Sequence, residues 1–594
     1  MFNFKISTTM KKITLFLIAL FTATFAFADK IEINGLYYDF NTEYKTATVS
    51  GGDLTPDEVI IPSSITYNEE EYTVTKIGSF YYNRTITSIT IPATIVEIQQ
   101  YAFENSQSIS SVYIFDIAAW CNIEMDDWGI DFTNPMHNAE NCYLNNIKLE
   151  ELIIPDGVDS IKYGVFHGLN VKSITIPNSV TYIGEEAFSA CKSLESITIP
   201  NSITTIGDAT FHGCPSLTSI TIPNSVTTIG SKVFFNCSAL NSIVISDNIT
   251  KFGEDVFTNT EWFNQQPDGC LYINNILCGY KGDFPKNETQ LNIAEGTKCI
   301  AASALYDFSS LTSVNMPNSV MYINDAAFGD CVNLKTLKFS NNLKIIEGWA
   351  FAGCTSLTSI NIPQNVTFIG DWAFGFCSSL EEINISTQKA DIHAAFHETQ
   401  WYNNHPNGCM YLNTYLYSYK GMMPEGIHID IKEGTTSICY GAFTEQALKS
   451  ITIPSTVNLI GDYAFDYCQS LETMTLYCNI PPQVNDLGLE IENCKILVPE
   501  GSLEIYKNHK EWGKFIDIEE FKIPETPTNF ETTKISSANI YTTNGTLHID
   551  GATENYHILD AAGRLIYSGN ATTITLPRGI YLITMGGEVE KIVL

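Results

Sequence analysis

Positive charge is scarce in this chain: 32 lysines and arginines stand against 66 aspartates and glutamates over 594 residues, a formal net charge of −34. The first 28 residues hold three lysines (Lys5, Lys11, Lys12) and no acid, so without them the balance is −37. So acidic a surface repels phosphate backbones and anionic bilayers, which argues against nucleic-acid binding. It also opposes self-association, and a monomer is expected. Long apolar runs are missing after residue 28 as well, and none reaches the ~18 residues of a membrane span. Reaction signatures are absent too, with no G-x-S-x-G, no glycine-rich phosphate loop and no D-x-D-x-D-G calcium loop. No catalytic residue, cofactor or metal is expected, and the reading is of a protein that is not an enzyme.

What the chain has instead is a period of 23 residues. Leu194-Glu-Ser-Ile-Thr-Ile-Pro200 is followed in phase by Leu217-Thr-Ser-Ile-Thr-Ile-Pro223, and between them lie Ile206-Gly207 and Phe211. The alternation L-x-x-I-x-I predicts one short strand with a buried face, which the proline ends because it cannot donate to a ladder. The V-x-x-I-G segment carries the chain back, and an Ala-Phe pair such as Ala187-Phe188 or Ala373-Phe374 closes the coil. One such unit cannot bury its own apolar face, so stacked neighbours must share a continuous core. The expected fold is a β-rich solenoid with one short parallel strand per 23-residue coil, about fifteen coils or more and few helices.

Sixteen cysteines in an exported chain suggest disulfides, but their spacing points elsewhere. Cys191, Cys214, Cys237, Cys331, Cys354, Cys377 and Cys468 all occupy one unit position. That predicts a ladder of buried thiols, since free cysteine packs as a small hydrophobe. Disulfides between adjacent coils are the alternative, because strands ~4.8 Å apart bring such residues near bonding distance. Cys270 and Cys278 lie outside the ladder and form the better candidate for a disulfide.

Lys11-Lys12, the apolar run Ile13 to Phe27 and the small-residue site Ala26-Phe27-Ala28 read as a secretory signal over residues 1–28. Residues 29–75 are strand-rich and out of phase, as an N-terminal cap over an open solenoid end should be. The repeats occupy 76–480, an aperiodic C-terminal cap 481–522, a Pro-containing polar linker 523–537, and a small β-domain 538–594. Three related insertions interrupt the repeats near 115–150, 258–290 and 397–428. Trp262 and Trp401 open two of them 139 residues apart, close to six periods, so each insertion takes the place of one coil. Asn274-Asn275 between two apolar tracts predicts a hairpin turn.

Units such as Leu357-Thr-Ser-Ile-Asn-Ile-Pro-Gln-Asn-Val-Thr-Phe-Ile-Gly-Asp-Trp-Ala-Phe374-Gly-Phe-Cys377 resemble the BspA-type leucine-rich repeats of bacterial cell-surface proteins. The resemblance covers roughly residues 29–522. It implies surface display and the binding of host proteins or other bacteria, without a shared active site. Tyr556-His-Ile-Leu-Asp-Ala-Ala-Gly563-Arg-Leu-Ile-Tyr567, followed by Gly579-Ile-Tyr-Leu-Ile and Lys591-Ile-Val-Leu594, resembles the sorting domain of type IX secretion cargo. The Pro-Asn-Pro element common at the start of such domains is replaced here by Ser536-Ser-Ala-Asn-Ile-Tyr.

Among candidate contacts, outward strand residues are mostly small hydroxyls (Ser173 and Thr175, Ser196 and Thr198, Ser219 and Thr221), which suit β-structure whether or not they bind anything. The insertion aromatics Trp120, Trp262, Phe263, Tyr272, Trp401, Tyr402 and Tyr411 are the residues that could anchor a partner protein or a sugar ring. Their matching placement fits hairpin packing equally. His393-Ala-Ala-Phe-His397 lacks the glutamate of a zinc helix, and its Ala395-Phe396 is the ordinary closing pair. Asp126-Asp127 and Asp131 read as a solvated loop. The expected role is a secreted or surface-displayed protein that binds extracellular proteins or mediates adhesion, with surface glycans as the alternative ligand and a hydrolase as the remote one.

Overall fold

The computed structural model describes residues 30–52, 55–80, 84–125, 130–282, 289–387, 389–489 and 494–522, and most of the tail from 538 to 593. The predicted leader (1–28), the linker (523–537), Asp126-Asp127 and the tail turns Asn544-Gly545, Gly563 and Gly586-Gly587 lie outside these residues. Two compact units divide at Pro406 and Asn407.

In the first unit the L-x-x-I-x-I strands of successive coils lie against one another in register, as a series of short parallel sheets. Glu151–Ile153, Ser173–Thr175 and Ser196–Thr198 form one parallel ladder that pairs Leu152, Ile174 and Ile197. The return segment adds a second, two-residue strand that periodicity did not predict. Thr205–Ile206, Thr228–Ile229 and Lys251–Phe252 make a parallel ladder of their own. The turn from Gly207 onward closes a third side, also bonded coil to coil, with Phe188 N donating to Thr210 O and Phe211 N to Val233 O. A run of isoleucine, proline and glycine therefore folds as a three-sided coil because its backbone groups find partners one period away.

Identical residues stack inside. Phe166, Phe188, Phe211, Phe234 and Phe257 lie ring over ring at 5.6–5.7 Å, all nearly parallel. The cysteine ladder is present as buried free thiols. Each Sγ donates to the carbonyl of a residue in the preceding coil: Cys214 to Phe188 at 3.3 Å, Cys237 to Phe211 at 3.1 Å, Cys377 to Phe351 at 3.2 Å. The thiol is thus both a small apolar filler and a donor to a carbonyl of the preceding turn. Burial pushes Cys331 up to about 12 and Cys468 to about 11, which keeps these two thiols protonated.

Each insertion carries the expected hairpin. Gly269–Ile273 pairs antiparallel with Ile276–Lys281 around Asn274-Asn275, and Asn141–Leu144 with Ile147–Lys148. The second arm rejoins the stack, since Ile276 and Leu277 pair in parallel with Cys299 and Ile300. The expected Cys270–Cys278 disulfide is not formed: both are thiols. Register sets Tyr280 opposite Cys270, and Cys278 falls at the bulge, where its thiol donates to Leu271 O at 3.3 Å.

In the second unit, Gly408–Leu412 and Tyr415–Lys420 form the third hairpin. Ladders continue through Ile427–Asp430, Leu448–Ile453, Thr473–Leu476, Lys495–Pro499 and Ile518–Phe521. Tyr506 and Trp512 are buried at their end, donating to Cys478 O and Pro482 O. The tail forms two small antiparallel sheets around Leu547, Ile549, Tyr556, Ile558 and Ile583.

Close approach of coils explains the conserved-in-phase I-G glycine. A Cβ on Gly230 would stand 2.6 Å from Asp208 N and 2.8 Å from Gly207 C, both backbone atoms that cannot swing away. Gly230→Ala is therefore expected to lower stability by about 1–3 kcal/mol in urea unfolding, with the coil forced apart. Stability within about 0.5 kcal/mol of the parent, the range of an ordinary surface change, would refute this account.

Candidate interaction surface

The insertion aromatics serve largely as packing. Trp120 is buried and its indole N–H donates to Val165 O at 2.6 Å. Trp262 packs edge-on against Phe257 of the ladder, and Trp401 against Phe396. Both tryptophans follow a threonine N-cap, Thr260 or Thr399, whose hydroxyl accepts from an amide in the first turn of a five-residue helix. Tyr272 and Tyr411 use their hydroxyls to accept from Ala294 N and Lys432 N. The Phe263 ring lies under Lys281 Nζ at 5.5 Å, and Tyr402 meets His397 at 4.6 Å. All but Trp120 remain half-exposed. Trp262 and Phe263 also line a cleft of about 280 Å³ with Glu254, Asp255, Tyr280 and Phe308.

The most exposed rings lie elsewhere, at positions the sequence reading did not single out. The coils turn through left-handed backbone two residues before and two residues after the ladder phenylalanine. Small or polar residues usually stand there: Glu186 (φ 53°), Ala209 (51°), Asp255 (52°) and Ala326 (51°) before it, Ala190 (55°), Asn236 (61°) and Asp330 (55°) after it. Trp349 (φ 56°), Trp372 (55°) and Phe376 (59°) occupy the same two slots. A bulky side chain in that region is a strained choice, costing about 1–2 kcal/mol per residue. Trp349 and Phe376 are 46% and 47% exposed. The three rings stack on one another, Trp349 on Trp372 at 5.6 Å and Trp372 on Phe376 at 5.1 Å. In the second unit Tyr463 (φ 55°) and Tyr467 (54°) repeat the substitution at both slots, 42% and 65% exposed. Coil alignment carries the signal, because tryptophan interrupts a column of Glu, Ala, Lys and Asp.

Beside these, the outward strand faces are mostly polar, with Ile60, Ile153 and Val244 exposed among the hydroxyls and amides. Stacked amides bond across coils, Asn384 Nδ2 donating to Asn361 Oδ1 at 3.1 Å.

Two histidine–carboxylate groups stand out. Asp131, read above as part of a solvated loop, is instead joined to His137 and His167, with Oδ1 3.2 Å from His137 Nδ1 and 2.8 Å from His167 Nε2. Hydrogen bonding to His167 holds the Asp131 carboxyl below its usual range, while burial lowers His137. His393 lies between Asp371 at 3.4 Å and Asp391 at 3.5 Å. Its neighbour in the motif, His397, donates from Nδ1 to Ala394 O at 3.1 Å. The two histidines thus have separate partners.

A stack of short parallel strands with in-phase Leu, Ile and Phe, closed by turns that vary on the outside, defines a leucine-rich-repeat solenoid. Residues 60–119, 138–263, 285–403 and 413–541 match the BspA type leucine rich repeat region, in six copies, and the chain belongs to that family. Among solved structures it is similar to a leucine rich cell surface protein of Faecalibacterium prausnitzii, with 25% identity over 75% of this chain and 94% of that one (TM-score 0.31). A leucine-rich repeat protein of Bacteroides ovatus shares 22% identity over 75% and 99% of the two chains (TM-score 0.31). The pneumococcal vaccine antigen PcpA shares 19% over 83% and 99% (TM-score 0.25). No curated protein matches the chain. Among the described residues no helix is long and apolar enough to cross a membrane.

The His393 triad yields a pH dependence. Burial opposes charge on this imidazole, but hydrogen bonds to Asp371 and Asp391 outweigh it and raise its pKa from 6.5 to about 9. A raised folded-state pKa stabilises fully below the unfolded value of 6.5 and contributes nothing once pH exceeds about 9. His393→Gln should therefore cost about 1 kcal/mol at pH 6, the carboxylates being half-exposed and screened, and the gap should close as pH rises through 9. Urea unfolding of both proteins across this range checks it, and a gap that widened with pH would contradict it.

Proposed function

We propose that this chain is a non-enzymatic binding protein, exported and displayed at or released from the cell surface, that engages extracellular proteins through the aromatic ridge of Trp349, Trp372 and Phe376. One observation carries the reading: three large rings occupy left-handed turn slots where small residues would be less strained, with Trp349 and Phe376 exposed and Trp372 half-exposed between them. Strained residues gathered at a surface, held in place by one another, are a mark of function. Tryptophan and its aromatic neighbours are also the residues that concentrate binding energy in protein interfaces. The rings stack face to face and so present edges more than open faces, which favours a protein partner over a sugar. Membership of a repeat family that includes surface proteins and the excess of acid over base support the same reading, with nucleic acid excluded as partner.

Glycan binding is the second reading, supported by the cleft that Trp262 and Phe263 line with Glu254 and Asp255. The tail, 538–594, would act in delivery, recognised by a type IX export machinery after the leader has directed the chain out of the cytoplasm.

The double variant Trp349→Asn with Trp372→Asn should keep its stability within about 1 kcal/mol, since asparagine tolerates the left-handed region while the ring stack is lost. Its capture of host extracellular proteins or bacterial surface extracts should fall at least ~10-fold, as for interface anchors. Capture equal to that of the parent would overturn the ridge. A glycan array probed with the parent and with Trp262→Ala plus Trp401→Ala separates the second reading. Removing residues 538–594 should leave folded repeats in the periplasm, and normal surface display after that deletion would refute the delivery role.

A further inference from the structure

The first insertion ends in a cluster that neither repeat packing nor partner binding requires. Asp131 belongs to the short helix Ile130–Thr133, and His137 follows it by one turn of chain. Buried Asn134 fixes this segment on the stack: its Nδ2 donates to Gly164 O at 2.8 Å and Val165 O at 3.1 Å, and its Oδ1 accepts from Met136 N. Gly168 (φ 76°) makes room, since a Cβ there would stand 2.4 Å from His137 Cα. His167 comes from the coil itself, one residue after the ladder phenylalanine, and is buried. Three parts of the chain are thus held so that Asp131 Oδ1, His137 Nδ1 and His167 Nε2 face one another, the two nitrogens 2.7 Å apart.

We propose that Asp131, His137 and His167 form a binding site for one divalent transition-metal ion of the zinc type. Two imidazoles and a carboxylate are a common ligand set for such ions, with bonds of about 2.0–2.2 Å. Tetrahedral bonds of that length set donors about 3.3 Å apart, so a relaxation of roughly half an ångström admits the ion. His167 Nδ1 contacts Ser189 Oγ in the next coil. With an ion bound in place of the hydrogen bond to Asp131, donation from Nδ1 to that hydroxyl would leave Nε2 its lone pair, the outer contact that orients metal-bound histidines. Glu186 lies 4.0 Å from the same Nδ1 and adds negative charge behind the ring. Asp131 is more than half exposed, so the fourth position opens to water. The ion would tie the insertion to the coil through ligands from both, coupling metal binding to local folding.

The full-length exported chain, stripped with a chelator and titrated with Co²⁺, tests the site by the visible d–d absorption of the bound ion and by Zn²⁺ competition. One equivalent of Co²⁺ displaced by Zn²⁺ is expected, without the near-ultraviolet charge-transfer band of a thiolate ligand, because the three ligands are two imidazoles and a carboxylate. Asp131→Asn and His137→Ala change partly exposed side chains and should fold normally by circular dichroism, yet lose the band. Ser189→Ala should weaken Zn²⁺ about 10-fold, the low end for outer contacts. Absence of Co²⁺ binding by the parent, or equal affinity in folded Asp131→Asn and His137→Ala, would overturn the proposal and leave a hydrogen-bonded cluster only.

Discussion

In-register bonding of each coil to its neighbours is the constraint on which the rest of this structure depends. Strands lie ~4.8 Å apart and a coil has three sides, so a backbone group on any side is satisfied only if the next coil presents the same geometry at the same place. Every inward position then faces its own equivalent one period away. Ile174 pairs with Ile197, Phe188 stacks on Phe211, and Cys214 donates to the carbonyl of Phe188. A change of size inside is felt by two neighbours at once, which is why volume is kept from coil to coil. Outward positions face no such demand, and variation there is free to carry other roles.

That division also determines what could be read from sequence. The strand of each coil, its proline stop, the thiol ladder and the hairpins were legible because each is a short-range pattern repeated in phase: Leu194-x-x-Ile-x-Ile or Asn274-Asn275 states its conformation locally. The second ladder, Thr205–Ile206 against Thr228–Ile229, was not, since two residues are too few to show alternation and their pairing depends on the neighbouring coil. The Cys270–Cys278 pairing failed for a related reason, since the register of the hairpin sets Tyr280 and not Cys278 opposite Cys270. The histidine cluster was hidden because His137 and His167 are 30 residues apart, and an insertion out of phase sets their alignment. Trp349 and Trp372 were visible in the text of the repeat, but their meaning depended on a backbone conformation that composition does not reveal.

The insertions follow a common logic. Each begins with a short helix carrying a tryptophan, and threonine or aspartate caps it: Asp116 before Trp120, Thr260 before Trp262, Thr399 before Trp401. A five-residue helix is unstable alone. The cap satisfies amides that would otherwise lack partners, and the indole fixes the helix to the stack, through a phenylalanine for Trp262 and Trp401 and through Val165 O for Trp120. Aromatic residues there are accordingly consumed by the fold, which explains why the candidates drawn from sequence turned out to be half-buried while exposed rings appear in regular coils.

The ridge itself is energetically self-consistent without any ligand. Three bulky residues in left-handed turns cost about 1–2 kcal/mol each. Stacked aromatic pairs return about 0.5–1.5 kcal/mol each, and the ridge contains three: Trp349–Trp372, Trp372–Phe376 and Trp349–Phe376. The two sums are of similar size, so the rings hold one another in the strained slots that a lone ring would leave. A ridge ordered in this way loses little conformational entropy when a partner docks, because its side chains are already confined. Periodicity supplies that order, since tryptophans one period apart must stand one above the other.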